Sequence, residues 1–230
     1  MPDFVRQHPS PNFDDRGKFA NIDMLVMHYT GMESADLALT RLCDKESRVS
    51  AHYFIDEDGS VRQLVDESQR AWHAGVASWR GQHNINQRSI GIELVNPGHE
   101  FGYRPFTAAQ IEVVISLSQD ILKRHPIPPR NVVGHSDIAP SRKNDPGELF
   151  DWQRLAAAGI GLWPGESGVL EMDRHLVAGN LATVGYEIDN LSKAVRAFQR
   201  HFRPARVTGR IDAGTARCLS SLVNLLGDEA

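Results

Sequence analysis

The stretch GHSDIAPSRKNDPGELFDW, residues 134–152, places many polar side chains directly after the apolar pair Val132-Val133. It holds one histidine, one lysine and three aspartates, and its two prolines restrict the backbone. The pattern shows neither helical nor strand periodicity. Two interpretations fit it: a capped surface loop in which Asp145-Pro146-Gly147 is a plain turn, or a metal site with a catalytic lysine.

Two histidines lie at or next to the ends of predicted strands, where a histidine is more often structural than functional. His28 lies near the end of IDMLVMHYT, and His135 follows NVVG. Zinc in hydrolases commonly takes three ligands from His, Asp or Glu and leaves a fourth position for water. His28, His135 and Asp145 would supply such a set. Lys143 lies two residues before Asp145, so an extended backbone would direct both side chains to the same side.

Glu93 is the single carboxylate in the apolar run SIGIELV. A buried carboxylate needs either a partner or a function, because the loss of hydration is costly. As a structural residue, Glu93 would pair with an arginine such as Arg88 or Arg104. As a functional residue, it would take part in the chemistry of the site. The residue pattern leaves both interpretations open.

The elements that must position these residues alternate between strands and helices. IDMLVMHYT and SIGIELV predict strands, NVVGH a short strand, and AHYFI and SVRQLV a hairpin around DEDG. A helix is predicted at SADLALTRLCD, with Ser34 as its N-cap. FTAAQIEVVISLSQDILKRH predicts another, and Thr107 and Gln110 form a capping box at its start. We therefore expect an α/β domain with a central mixed β-sheet flanked by helices.

The C-terminal part of the chain predicts a separate helical unit. LWPGESG, residues 162–168, is typical of a linker. DNLSKAVRAFQRHF then carries apolar residues on one helical face, and a further helix is predicted to start near Asp212. The expected organisation is a domain over residues 1–164, a linker with a first helix over 165–178, and a small helical domain over 179–230. The first helix and the small helical domain together make a three-helix unit.

Composition and charge exclude some classes of protein. The 230 residues are 41% hydrophobic and 23% charged, with a net charge of −4, which disfavours nucleic-acid binding. No apolar run is long enough to span a bilayer, and the first 19 residues lack a secretory pattern. Cys43 and Cys218 form no metal-type pair and predict buried free thiols. These features favour a cytoplasmic protein without a membrane partner; they leave the oligomeric state open and are compatible with a monomer.

Five motifs occur in order between about residues 20 and 163 and together carry a resemblance. They are MHY around His28, VSAHY around His52, RAWHAG, SIGIEL around Glu93, and GHSDIAPSRKNDPG. The set resembles the zinc-dependent N-acetylmuramoyl-L-alanine amidases of the amidase type 2 family. That family also includes phage amidase lysozymes and peptidoglycan recognition proteins. The chain looks most similar to its recycling and outer-membrane members, which act on anhydromuropeptides.

The resemblance implies a role for each matching residue. One zinc ion would be held by His28, His135 and Asp145, with Glu93 as general base and Lys143 as electrostatic stabiliser. The bond cleaved would join a muramic acid lactyl group to L-alanine. Further residues are implied near the substrate: Trp72, His73, Arg80 and Asn84. Trp72 could instead fill the edge of the sheet, and His52 either supports the site or packs.

The C-terminal segment AVRAFQRHF followed by TGRIDAGTARCL resembles a small three-helix peptidoglycan-binding domain. Its basic residues either form a solvated face or hold the carboxylates of peptide stems. The expected partners are muropeptides or peptidoglycan fragments. A non-catalytic recognition protein using the same cleft is the alternative function. The complete set of ligands with Glu93 and Lys143 favours the enzyme.

Overall fold

The computed structural model describes residues 4–17, 21–165 and 173–228. A six-stranded mixed sheet forms its centre, in the order β1-β5-β4-β7-β3-β8, and two further strands form a small antiparallel ribbon, β2-β6. The strands are β1 Val5–Gln7, β2 Phe13–Asp15, β3 Met24–Tyr29, β4 Tyr53–Ile55, β5 Val61–Gln63, β6 Gln69–Ala71, β7 Ser89–Leu94 and β8 Val132–Gly134.

Three neighbouring parallel strands, β7, β3 and β8, end at the same edge of the sheet. In their register, His28 of β3 lies opposite Glu93 of β7, and Met27 lies opposite Gly134 of β8. Ligands in open α/β sheets bind outside the carboxyl ends of such strands. The pairing therefore brings His28, Glu93 and the residue after β8, His135, into one row.

The two faces of β7 differ because side chains alternate along a strand. Ile90, Ile92 and Leu94 are fully buried in the core that includes α4, Ala108–Arg124. The other face carries only Ser89, Gly91 and Glu93. The small residues on this face leave room beside the sheet for another side chain, and the carboxylate stands at the end of the row.

The predicted helix after Phe106 is confirmed as α4, including the reciprocal capping box between Thr107 and Gln110. Its residues Ile111, Val114, Leu117 and Ile121 are buried. Each such side chain contributes about 1.5–3 kcal/mol on burial. The helix thus covers one face of the sheet. The hairpin is also confirmed, since β4 and β5 are antiparallel and Gly59 has a φ of +83°.

The remaining helices of the first part are mostly short. They are α1 Ala35–Cys43, capped by Ser34 as predicted, α2 Ile85–Arg88, α3 Gly98–Phe101, α5 His135–Ile138 and α6 Trp152–Ala157, with single 3₁₀ turns at Lys45–Ser47 and Pro129–Asn131. The prediction of no regular structure over residues 134–152 is therefore wrong at α5 and at the start of α6. Elements of four to six residues are too short to show a hydrophobic period.

Three helices form the C-terminal unit: α7 Arg174–Val184, α8 Leu191–Phe202 and α9 Ala213–Asp228. The apolar face predicted for α8 is confirmed, since Val195, Phe198 and Phe202 are buried. The part of the predicted linker at residues 166–172 lies outside the described residues. Cys43 and Cys218 form no disulfide, but both are only partly buried. In the described ranges, no helix has the length and apolarity needed to cross a bilayer.

Candidate active site

Three side chains converge at the carboxyl ends of β3 and β8. The Nδ1 atoms of His28 and His135 are 2.9 Å apart, and each lies 3.0 Å from Oδ2 of Asp145. All three residues are buried and their donor atoms are close enough together to hold one metal ion. His28 comes from β3, His135 is the first residue of α5, and Asp145 lies in the following loop, before a cis bond to Pro146.

The second nitrogen of each histidine is bonded away from this centre. His135 Nε2 lies 3.0 Å from the carbonyl oxygen of Ala74, which can only accept, so Nε2 carries the proton. His28 Nε2 lies 3.0 Å from Nδ1 of His73, and His73 Nε2 lies 3.1 Å from Oγ of Ser89. That hydroxyl donates to the carbonyl of Ile85 at 2.7 Å.

The Ile85 carbonyl fixes the donor-to-acceptor direction of this series of hydrogen bonds. Because the Ser89 hydroxyl gives its proton to Ile85, it accepts from His73 Nε2, and His73 Nδ1 then accepts from His28 Nε2. The Nδ1 atoms of His28 and His135 are left with lone pairs facing Asp145 Oδ2. Three lone pairs within 2.9–3.0 Å of one another repel unless a cation lies between them. The residues therefore fit a metal ion.

The electrostatics of the three residues agree with this assignment. Burial, followed by the neighbouring His135, lowers the pKa of His28 to about 4, so the imidazole is neutral near pH 7. Burial by itself would raise the pKa of Asp145, but His135 and His28 outweigh it and hold the pKa below its ordinary value. Neutral imidazoles and an ionised carboxylate are the forms that bind metal.

His73 occupies the space that the small residues of β7 leave open. A Cβ on Gly91 would lie 2.5 Å from Cγ of the His73 ring, so only glycine permits the ring to pack there. Burial, followed by the nearby His28 and His52, holds the pKa of His73 well below 6.5. His73 was expected to contact substrate. It borders the cleft, but both ring nitrogens are bonded inside the protein.

Within the part of the chain that the structure describes, no arginine pairs with Glu93, so the expected pairing with Arg88 or Arg104 is not found. Arg88 pairs with Asp23, and Arg104 pairs with Glu57. Oε2 of Glu93 is buried and has no hydrogen-bond partner among the described residues. Burial raises the pKa of Glu93 well above 4.5, Asp145 raises it further, and Lys143 opposes both. A carboxylate with raised pKa beside a metal-binding centre has the properties of a general base.

A cleft of about 410 Å³ opens above these residues. Lys143 and Asp145 both line it, as the sequence predicts, although the chain reaches Lys143 through a turn in which its N–H donates to Ala139. Trp72 also lines the cleft. Arg142 was not predicted; its guanidinium donates to the carbonyls of Ala74 and Val76, which braces one wall.

Two residues predicted to lie near the substrate are elsewhere. Neither Arg80 nor Asn84 is among the described residues that line the cleft. The Arg80 N–H donates to the carbonyl of Gly185, and its side chain packs against that glycine at the end of α7. Asn84 occupies the N-cap position of α2 with a left-handed φ of 56°. The contact of Arg80 with Gly185 joins residues distant in the chain, so the local sequence does not reveal it.

Other residues that hold the site were also missed. The Asn86 side chain accepts from the backbone N–H groups of His73 and Ala74, at 3.1 and 2.8 Å, and so fixes the RAWHAG segment. Ser89 directs the histidine chain. His52, which was expected either to support the site or to pack, is fully buried, and its Nδ1 accepts from the N–H of Gly91, so it supports β7. Ser89 and Gly91 are small residues within the strand SIGIEL, and their size is the one sequence feature that could have indicated a side chain packed against this face.

A mixed sheet that delivers two histidines, an aspartate and an unpaired glutamate to one cleft is the arrangement of a metal-dependent hydrolase. The sequence matches the family model Amidase_2, N-acetylmuramoyl-L-alanine amidase, over residues 18–148. Because this match covers more than half of the chain, the protein belongs to that family.

Relatives extend the similarity beyond the matched region. The N-acetylmuramoyl-L-alanine amidase AmiD of Escherichia coli is 39% identical, over 92% of this chain and 86% of its own. The 1,6-anhydro-N-acetylmuramyl-L-alanine amidase AmpD of Haemophilus influenzae is 38% identical over 66% of this chain and 91% of its own.

Solved structures confirm the fold. The complex of Escherichia coli AmiD with anhydro-N-acetylmuramic acid-L-Ala-D-γ-Glu-L-Lys has a TM-score of 0.81 at 38% identity, over 92% of this chain and 93% of that one. The complex of Pseudomonas aeruginosa AmpDh3 with an anhydromuramic pentapeptide has a TM-score of 0.80 at 31% identity, over 95% and 96% of the two chains. The similarity therefore includes the C-terminal helices.

Proposed function

We propose that this protein is a zinc amidase that cleaves the bond between the lactyl group of 1,6-anhydro-N-acetylmuramic acid and L-alanine. The observation that carries the proposal is the convergence of three ligand atoms, 2.9–3.0 Å apart, on His28, His135 and Asp145. Beside them lies Glu93, whose buried Oε2 has no hydrogen-bond partner among the described residues. His28, His135 and Asp145 would hold one zinc ion, because two imidazoles and one carboxylate are a common ligand set for catalytic zinc. Bound there, zinc would lower the pKa of a water molecule and polarise the scissile carbonyl.

The other residues of the cleft then have definite tasks. Glu93 takes a proton from the attacking water and later delivers it to the departing alanine nitrogen. The ammonium of Lys143 faces the negative charge that develops on the carbonyl oxygen, a role worth about 3 kcal/mol. His73 holds His28 in the tautomer that binds metal, which is a positioning role in place of the substrate contact expected from the sequence.

The cleft suits a muropeptide in size and chemistry. Its volume is within the range of about 300–1,000 Å³ found for ligand sites. The indole of Trp72 offers an apolar surface to a sugar ring. Arg41 and Lys143 line the same cleft and offer positive charge to an acidic peptide stem. Both relatives solved with ligand contain anhydromuramyl peptides, which supports this substrate class.

The first test combines metal removal with a matched pair of variants. Purified protein is assayed for release of the stem peptide from an anhydromuropeptide before chelation, after chelation and after addition of zinc. We expect activity to vanish after chelation and to return after addition of zinc. Glu93→Gln should lower kcat by about 10²–10⁴-fold, the usual contribution of a general base. Glu100→Gln, which removes another carboxylate of the cleft, should have little effect.

The result that would contradict the proposal is tight binding of the anhydromuropeptide by zinc-loaded protein without cleavage. The protein would then be a recognition protein with the site of an enzyme. Residues 1–164 carry all the proposed catalytic groups, and α7, α8 and α9 are proposed as an accessory unit that resembles a peptidoglycan-binding domain.

The preferred substrate is proposed to be a soluble fragment. If the protein serves recycling in the cytoplasm, soluble anhydromuropeptides should be cleaved much faster than intact sacculi. Comparable rates of peptide release from both would refute this preference. Cell fractionation with an antibody to the chain would test the cytoplasmic location separately, and sedimentation would test the expected monomer.

A further inference from the structure

A buried carboxylate links the metal-binding loop to the C-terminal helices. Asp137 lies two residues after His135 in α5 and is 1% exposed. Its oxygens accept three hydrogen bonds, each of 2.7 Å, from the N–H of Gly134, the hydroxyl of Tyr186 and Nδ1 of His201. Tyr186 follows α7, and His201 belongs to α8. Two of the three donors therefore come from the C-terminal unit.

Further contacts reach the rest of the same loop. The His201 ring stacks on Trp152, with ring centroids 3.8 Å apart and planes at 19°. Arg200 is buried, and its Nε lies 3.6 Å from a carboxylate oxygen of Glu148. Residues 134–152 are thus held at their beginning and at their end by α8. The basic residues of this segment were expected either to form a solvated face or to hold stem carboxylates, but Arg200 takes part in this contact.

Apolar contacts also join the sheet to the C-terminal helices. Met24, Val26 and Val133, on the sheet face opposite α4, belong to the same hydrophobic core as Leu181 of α7 and Phe198 of α8. Alternation along β3 places His28 on this face as well. The C-terminal helices therefore cover the layer of the sheet from which the site emerges, and the surfaces they use for this are not available to a cell-wall ligand.

We propose that the C-terminal helical unit is a brace for the metal site, in which Tyr186 and His201 are positioning residues that hold His135 through Asp137. The physical reason is the size of α5. A helix of four residues is too short to be stable by its own hydrogen bonds, so its orientation depends on tertiary contacts. Groups that orient a metal ligand from outside typically change metal affinity by 10–100-fold when removed.

The proposal rests on the proposed role of His135 as a metal ligand. It is tested in the full-length protein by measuring the zinc dissociation constant in competition with a chromophoric chelator, together with the thermal midpoint. Tyr186→Phe removes one donor to Asp137. His201→Phe keeps an aromatic ring against Trp152 but removes the other donor, whereas His201→Asn keeps a donor near the Nδ1 position and loses the stacking.

We expect zinc to bind about tenfold more weakly to Tyr186→Phe and His201→Phe, the lower end of the range for such groups. His201→Asn should bind zinc within about threefold of the original chain, because the donor is retained. Tyr53→Phe is the matched control: its hydroxyl also donates to a carboxylate, Glu67, at 2.7 Å, but far from the loop. It should lower the thermal midpoint without changing zinc affinity.

Equal zinc affinity in Tyr186→Phe, His201→Phe and Tyr53→Phe, with lowered thermal midpoints, would overturn the proposal, since the helices would then act on stability alone. Weak zinc binding in His201→Asn as well would also overturn it, because packing rather than the hydrogen bond would be responsible. If the unaltered protein binds no zinc, the proposed function fails first and this inference fails with it.

Discussion

Replacement of His73 gives the sharpest test of how the site is built. In the native chain, His73 Nδ1 accepts a hydrogen bond from the N–H at His28 Nε2, and this keeps Nδ1 of His28 unprotonated. In His73→Leu this acceptor is gone. The metal-free variant can then move the His28 proton to Nδ1, where it donates to Asp145 at 3.0 Å. Metal binding would have to reverse that shift.

The magnitude follows from burial. His28 is 1% exposed, so returning its proton to Nε2 leaves a buried N–H without a partner. Such a group costs about 1–3 kcal/mol. At about 1.4 kcal/mol per factor of ten, we expect the zinc dissociation constant of His73→Leu to rise by about 5- to 150-fold. Because the metal-free form relieves the defect, its free energy of unfolding should change less than its zinc affinity.

The assay is competition for zinc with a chelator of known affinity, read by absorbance. His73→Asn offers an amide oxygen near the Nδ1 position and should recover most of the affinity. His125→Asn, at a partly buried histidine that contacts Glu67 and is not among the described residues lining the cleft, is the control and should bind zinc normally. A folded His73→Leu with unchanged zinc affinity would refute the tautomer argument.

The remaining predictions concern stability and packing. Glu93→Met should abolish activity and raise the free energy of unfolding of the metal-free protein by about 1–2 kcal/mol, because it removes a carboxylate whose Oε2 is buried without a partner among the described residues. Urea titration measures this change, and a destabilised variant would contradict it. Gly91→Ala should weaken zinc binding, since the new Cβ displaces the His73 ring; unchanged affinity with normal folding would show that the ring is not needed. Burial alone raises the pKa of Glu67, but hydrogen bonds, that from Arg124 foremost, outweigh it and lower the pKa to about 2. The native state then binds fewer protons than the unfolded one, so this stabilisation, about 3 kcal/mol at most, is complete above pH 4.5 and lost as the pH falls toward 2. Acid unfolding of Glu67→Gln should lack this part of the pH dependence, and an identical profile would exclude the effect.

The site depends on strand order more than on any single motif. β3 lies between β7 and β8 in the sheet, although β7 and β8 follow it by 60 residues or more in the chain. Parallel pairing then places Glu93, His28 and His135 at one edge. The helices that form the other layer of the core hold the loop that carries His135 and Asp145. Ligand geometry and domain packing are therefore parts of one arrangement.

The elements with a long hydrophobic period and the candidate site residues can both be found in the sequence. α4, β3 and β7 are visible because burial on one face or both leaves a regular apolar pattern. His28, Glu93, His135, Lys143 and Asp145 could be named because they match the motifs of the family that the sequence resembles. The structure places all five at the cleft or directly beneath it.

The tertiary structure alone decided the partners. That Glu93 has no arginine, that His73 serves His28, and that Arg80 lies against Gly185 are contacts between residues far apart in the chain. Short elements such as β1, β2 and α5 are stabilised by their neighbours and leave no period to read. The role of Asp137 depends on donors 49 and 64 residues away, and such pairing is fixed only when the helices pack against the sheet.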